Sequence, residues 1–304
     1  MLKVKLDHRF KVKCPKCDGT EIIRHGRRTS RGKSVQIYRC KGCGRIFSDT
    51  TLPYLNTDSS VLLKGISLYN QGYSLKRCSE IMETTFEKRI PRNTIHHWIH
   101  RYEDIFTYTR IREKHEEIPI VVTSYPGHKC RFHRKKLKLL TSDYPGITSY
   151  FNRIRRGLKR TAFYGLDPAV FIEDEEALNC LDNSRISKEP ECVYHALCEE
   201  SDQLKELKRY LLINDAYTVG VDVPLYLTPS ESGGDLLATI APIIQIREHI
   251  RILDPSSDQN LTVKRLLGAS KALIKRCDLD PDNIEIGGFD SEKMWLVKVG
   301  ENLI

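Results

Sequence analysis

Four cysteines in two pairs constrain this chain more than any other feature. Cys14 and Cys17, then Cys40 and Cys43, give the spacing C-x2-C-x22-C-x2-C. Each C-x-x-C turn aims two thiolates at one centre, and two such knuckles complete the tetrahedral sulfur shell that Zn²⁺ accepts. Gly42 and Gly44 relax the second knuckle, where backbone must pass close to the sulfurs. Between the pairs, EIIRHG and VQIYRC read as short strands on either side of a polar, basic turn. So small a unit has little core of its own, and metal binding worth about 10–16 kcal/mol would supply its stability. Four thiolates leave no open coordination position, so the expected zinc is structural. The ten cysteines of this 304-residue chain are not read as a disulfide framework, which belongs to small secreted proteins.

The net charge of +9 conceals a division. Residues 1–160 carry 35 Lys+Arg against 14 Asp+Glu, while residues 161–304 carry 14 against 26. A basic half joined to an acidic half predicts that only the first touches a polyanion. The opening MLKVKLDHRFKVKC lacks the apolar stretch of a secretory signal, and no run approaches the ~20 apolar residues of a membrane span. A soluble, cytoplasmic protein with no membrane partner is the expectation.

Three helices should follow the cysteine unit. SSVLLKGISLYNQGYS offers the first, ending near Gly72. SLKRCSEIMET gives the second, with Ser74 as N-cap, and IPRNTIHHWIHRY the third. In the third, Ile95, Trp98, Ile99 and Tyr102 recur at i, i+3, i+4 and i+7, one apolar helix face. The opposite face shows Arg92, Asn93, His96, His97 and Arg101. Arg suits guanine and Asn suits adenine in the major groove, so this face is a candidate for reading DNA. No carboxylate or cysteine stands at ligand spacing from His96 and His97, which argues against a metal there. Together, CPKC, QIYRCKGCGRIF and the helices resemble the zinc ribbon and helix-turn-helix that head many insertion-sequence transposases. That resemblance implies sequence-selective DNA binding and a mobile-element relationship.

Residues 128–160 contain HKCRFHRKKLKLL and YFNRIRRGLKR, in which Asp143 is the one acid between Lys129 and Arg160. On helices these stretches would form cationic ridges that grip phosphates without reading sequence, with Lys135, Lys136, Arg155 and Arg156 as the expected contacts.

From Leu211 the hydrophobic period changes to two. TVGVDVPLYL, LATIAPIIQI and HIRILD read as three strands, LTVKRLLGASKALIKRC as an amphipathic helix, and NIEIGGFDSEKMWLVKV as one or two further strands. A helix near ECVYHALCEESDQLKELKRY precedes them. LLINDAYTVGVDVPLYL, IIQIREHIRILDP and IGGFDSEKMWLVKV resemble the PD-(D/E)XK, restriction-endonuclease-like domains of archaeal type. The resemblance implies Mg²⁺ held by two acids, a lysine that positions water, and often a Gln on the next helix. In this sequence the first acid falls on Pro242, the lysine on Ser256 and the Gln on Arg265. Asp254 alone stays in place, with Asp222 upstream as a second vestige. One Asp is too little charge to hold Mg²⁺ well. Without the lysine, nothing in the motif offsets charge developing on the phosphate. Asp235, Glu199 and Glu200 are candidates for migrated ligands, and Lys264 and Lys271 for a migrated lysine.

The expected organisation is α/β and multidomain. It comprises a zinc ribbon over 9–50, a helix-turn-helix over 58–104, a basic helical connector over 105–165 and a nuclease-like α/β domain over 166–304. The expected function is DNA binding by the front of the chain, with a catalytically degenerate nuclease frame used for assembly through a second copy or a protein partner. The alternative is an active, divergent Mg²⁺-dependent endonuclease. A DDE transposase would need three acids on an RNase H-like fold, which the strand pattern suits less well.

Overall fold

The computed structural model describes residues 14, 17, 19–30, 33–48, 57, 59–103, 105–112, 120–125, 127–158, 203–232, 237–255, 259–289 and 294–300. It separates into two compact units, residues 1–59 and 60–304.

The first unit is a three-stranded antiparallel sheet of β1 (Ile22–Ser30), β2 (Lys33–Cys40) and β3 (Ile46–Ser48), in that order. Its strands interrupt their register between Arg24 and Gly26, where the Gln36 side-chain amide donates to the Gly26 carbonyl at 2.7 Å. Tyr38 and Phe47 stack across β2 and β3 with ring centroids 6.0 Å apart. Ile23 and Ile46 stay exposed, and among the described residues of this unit only Cys14 and Cys40 are fully buried. The core of the ribbon is therefore sulfur rather than hydrocarbon.

The second unit begins with α1 (Ser59–Asn70), α2 (Leu75–Phe86) and α3 (Arg92–Arg101). Ser74 caps α2 as its sequence predicts, its hydroxyl accepting from the Arg77 backbone N–H at 3.2 Å. Ser79 donates to the Ile90 carbonyl at 2.5 Å, which fixes the turn between α2 and α3. The helices meet at Gly65, where a Cβ would lie 3.0 Å from the Met82 sulfur and 3.4 Å from Trp98. Only hydrogen fits that crossing without a shift of Met82. Ile95, Trp98, Ile99 and Tyr102 are all buried, as the helical period requires.

After the short α4 (Thr109–Arg112) the chain enters a seven-stranded sheet. Its strands are β4 (Ile120–Tyr125), β5 (His128–His133), β6 (Thr218–Leu227), β7 (Leu237–Ile246), β8 (Ile250–Asp254), β9 (Ile284–Phe289) and β10 (Met294–Lys298). They lie in the order β10-β9-β8-β7-β6-β5-β4, antiparallel throughout except for the parallel pair β8 and β9. A parallel pair needs a long crossover, and α9 (Gln259–Cys277) provides it. The remaining helices are α5 (Arg134–Leu140), α6 (Pro145–Arg156), α7 (Gln203–Asn214) and the single turn α8 (Pro229–Ser232). From residue 203 the main elements therefore run α7-β6-β7-β8-α9-β9. Among the described residues no helix is long and apolar enough to cross a membrane.

The stretch expected to be a helical connector is instead part of this body. Its front half is the β4–β5 hairpin, because Cys130 and Phe132 alternate inward from β5 and pack into the main core. Its rear half, α6, contributes Ile147, Tyr150, Phe151 and Ile154 to the same core. Gly146 lets α6 touch the end of α9, since a Cβ there would lie 1.8 Å from the Cys277 carbonyl oxygen. The charge count of this stretch masked the apolar residues between the cations.

The three helices are also joined to the sheet body rather than separate from it. The Asn70 amide donates to the Asn214 side chain at 2.8 Å, and Asn214 in turn donates to Ser67 at 3.0 Å. Arg112 donates to the Tyr69 carbonyl at 2.9 Å and lies over its ring at 4.4 Å. These contacts tie α1 to the C-terminus of α7 and to α4.

Candidate functional site

The ligand atoms of Cys14, Cys17, Cys40 and Cys43 lie within 4.8 Å of one another, a group able to hold a metal ion. Hydrogen bonds from Cys14 N–H to the Gly19 carbonyl (3.0 Å) and from Gly44 N–H to the Cys40 carbonyl (3.0 Å) close the two knuckles. The sulfurs of Cys14 and Cys43 are 3.4 Å apart and those of Cys17 and Cys40 3.6 Å, and all four are free thiols. A tetrahedral shell with bonds of about 2.3 Å places sulfurs about 3.8 Å apart, so the donor set is compatible with zinc. The Gly19 backbone amide holds the Cys17 thiol down, yet the crowding sulfurs of Cys43, Cys40 and Cys14 push it up to about 12. Four thiolates packed this closely would repel one another, and a metal ion would offset that repulsion.

On α3, Arg92, Asn93, His96, His97 and Arg101 are all exposed on the side away from buried Ile95, Trp98 and Ile99. His97 and Arg101 pair at 3.4 Å, and His96 pairs with His100, a residue that the sequence reading passed over. The cations expected in the connector separate into two groups. Arg155 and Arg156 are exposed at the end of α6, and Lys135 is half-buried on α5. Lys136 is a correction: it is fully buried and cannot meet a phosphate. Its ammonium donates to the carbonyls of Leu212 (2.6 Å), Asp215 (2.6 Å) and Thr218 (3.3 Å) and lies 4.7 Å from the centre of the Tyr108 ring. Burial pushes Lys136 down to about 7, with Asp215 pulling the other way. The Asp215 carboxylate is itself held by Thr218 N–H (2.8 Å), the Thr218 hydroxyl (2.6 Å) and Gln245 (2.9 Å). This cluster fastens α7 to β6, and its polar groups satisfy one another.

The two vestigial acids are each engaged by a cation of their own. Asp254 ends β8 and is 4% exposed, and it forms an ion pair with Arg265 from α9. Asp222 lies on β6, two strands away, with φ of 50°, and accepts from Lys208 of α7 at 2.5 Å. Continuing the register Ile243↔Leu253, Pro242 falls opposite Asp254, and the register Val221↔Ile243 sets Pro242 opposite Asp222 as well. The row therefore reads acid, proline, acid, and each acid takes its cation from a different helix. Ser256, Asp235, Glu199 and Glu200 lie outside the described residues, as does the side chain of Lys264. Arg265 is the residue whose role sequence alone missed, because a charge on an amphipathic helix normally faces water.

Compared with protein-family models, with curated proteins and with solved structures, the chain shows no significant match to any of them.

Proposed function

We propose that this chain is a DNA-binding protein whose nuclease-like frame has lost its metal site. The observation that carries the reading is α3: it buries Ile95, Trp98 and Ile99 and presents Arg92, Asn93, His96, His97 and Arg101 to solvent. Arg92 and Asn93 open that helix, the end from which helix-turn-helix proteins contact base edges. The turn-linked α2 and α3, the preceding four-cysteine ribbon and the strongly basic first half support the same interpretation. Zinc, held by Cys14, Cys17, Cys40 and Cys43, would take the place of a core in the ribbon and contribute no chemistry. Arg155 and Arg156 would add phosphate contacts that carry no sequence information.

The order α7-β6-β7-β8-α9-β9, with one parallel pair closed by α9, supports a restriction-endonuclease-like frame. Asp254 at the end of β8 holds the position of a metal ligand in such a frame, but Arg265 already neutralises it. Binding Mg²⁺ there would require expelling a guanidinium, with proline in the place of the second acid. The frame then serves assembly, by pairing with a second copy or a protein partner.

Binding of the full-length protein to a pool of random duplexes, followed by selection, tests the reading. A preferred site should emerge, and Arg92→Ala or Asn93→Ala should weaken it by about 1–3 kcal/mol while leaving non-specific binding in place. Absence of duplex binding at low salt would sink the proposal. Cleavage with Mg²⁺ or Mn²⁺ that Asp254→Ala abolishes would establish the endonuclease alternative instead.

A further inference from the structure

We propose that His96 and His100 form a surface site for one divalent transition-metal ion, distinct from the cysteine site. The two histidines stand one helical turn apart on α3, both exposed, with their Nε2 atoms 3.1 Å apart. Their rings meet edge to face, with centroids 4.4 Å apart and planes at 68°. A neutral imidazole has one lone pair, and here both Nε2 positions face one gap. In the pair as it stands, one ring donates its N–H to the other, so a single proton fills that gap.

A metal ion fits the same space. With metal–nitrogen bonds of about 2.0–2.1 Å, a right-angled bite separates the nitrogens by about 2.9 Å and a tetrahedral one by about 3.3 Å. The observed 3.1 Å lies between the two. Two histidines at i and i+4 on one helix face are a recurrent chelate, and imidazole suits Zn²⁺, Ni²⁺ and Cu²⁺. The helix is held from behind by Ile95, Trp98 and Ile99, so the pair requires little further ordering. Arg101 associates with His97 at 3.4 Å.

Two neutral ligands leave the ion's charge uncompensated and its other positions open to solvent. If the proposed DNA reading holds, those positions lie on the recognition face, where a phosphate oxygen or guanine N7 can complete the shell. The metal site itself does not depend on that reading.

Zinc-loaded full-length protein should be titrated with Ni²⁺ by calorimetry, with the near-ultraviolet spectrum followed in parallel. The expected result is one nickel ion per chain beyond the zinc, lost in His96→Ala and in His100→Ala and kept in His25→Ala, which alters an exposed histidine of the ribbon. An ion retained by both α3 variants, or none in the wild type, overturns the site. Nickel–thiolate absorption would place the ion in the cysteines and overturn it equally. In a second arm, Ni²⁺ should tighten duplex binding by the wild type and not by His100→Ala. Nickel held by the pair without any change in DNA affinity overturns the DNA extension, and nickel binding by a protein that ignores DNA sinks the proposed function while upholding the site.

Discussion

The cysteine knuckles and the end of β8 both offer metal-binding side chains, and they are built in opposite ways. The cysteine knuckles bring four sulfurs together as a set of ligand atoms. Asp254, where the proposed nuclease-like frame would hold its metal, is matched by Arg265 from the helix that follows. At the second site the compensating charge is a side chain of the protein itself, whereas at the first a metal ion would supply it. Four sulfurs gathered round one point suit an ion, whereas a carboxylate already seated on a guanidinium has become part of the protein's packing.

The sharpest way to break the comparison is at the ribbon. Cys40→Ser removes one of the two sulfurs that are its only fully buried side chains among the described residues. With about 10–16 kcal/mol of metal-linked folding at stake, residues 14–48 should lose both zinc and protection from proteolysis. Residues 60–304 should keep their thermal transition, since their core contains none of the four cysteines. A ribbon that stays folded and zinc-free would show that its strands suffice.

Arg265→Ala is the matching experiment at the other site. It strands a buried carboxylate, a class of change that costs about 3–5 kcal/mol, discounted here because the Arg265 side chain is 27% exposed. The double change Asp254→Leu with Arg265→Met should recover most of that stability in urea denaturation. If Arg265→Ala instead proves neutral and the protein gains Mg²⁺ binding, Arg265 is a removable plug and the comparison fails.

A smaller effect separates Lys136 from the surface cations with which its sequence grouped it. Its ammonium is pushed down to about 7 in the folded protein against an ordinary 10.5. Between those values the unfolded chain binds the extra proton, so this residue makes stability rise as pH climbs from about 7 towards 10.5. Lys136→Met should flatten that rise and leave the DNA salt dependence unchanged. A reduced salt dependence would return Lys136 to the surface.

Lys136 also shows what was legible in the sequence and what was not. Period and spacing revealed the cysteine pairs, the apolar face of α3, the Ser74 cap and strands β6 to β8, because each is a local pattern, and left open whether one strand or two followed. The β4–β5 hairpin was hidden because its buried Cys130 and Phe132 are interleaved with Lys129 and Arg131, so charge dominated the composition. The Asp254–Arg265 pair joins a strand end to the helix after it, and the docking of Asn70 on Asn214 spans 144 positions, and no local rule reports either.

The mildest prediction compares two arginines that sequence alone ranks alike. Arg92 opens α3 beside Asn93, while Arg155 lies exposed near the end of α6 on the sheet body. A guanidinium that forks onto guanine loses about 1–3 kcal/mol at one base position when truncated, so Arg92→Ala should relax preference there. A guanidinium that touches only phosphate releases counterions, so Arg155→Ala should weaken every duplex alike and lower the salt slope by about 1. Both side chains are exposed, so neither variant should shift thermal stability, and changes in DNA affinity report contacts directly. Measuring both variants on the selected site and on a scrambled duplex, over a salt series, resolves the two roles. If Arg155→Ala altered base preference while Arg92→Ala changed only the slope, reading would belong to the sheet body and grip to α3, the reverse of the roles assigned above.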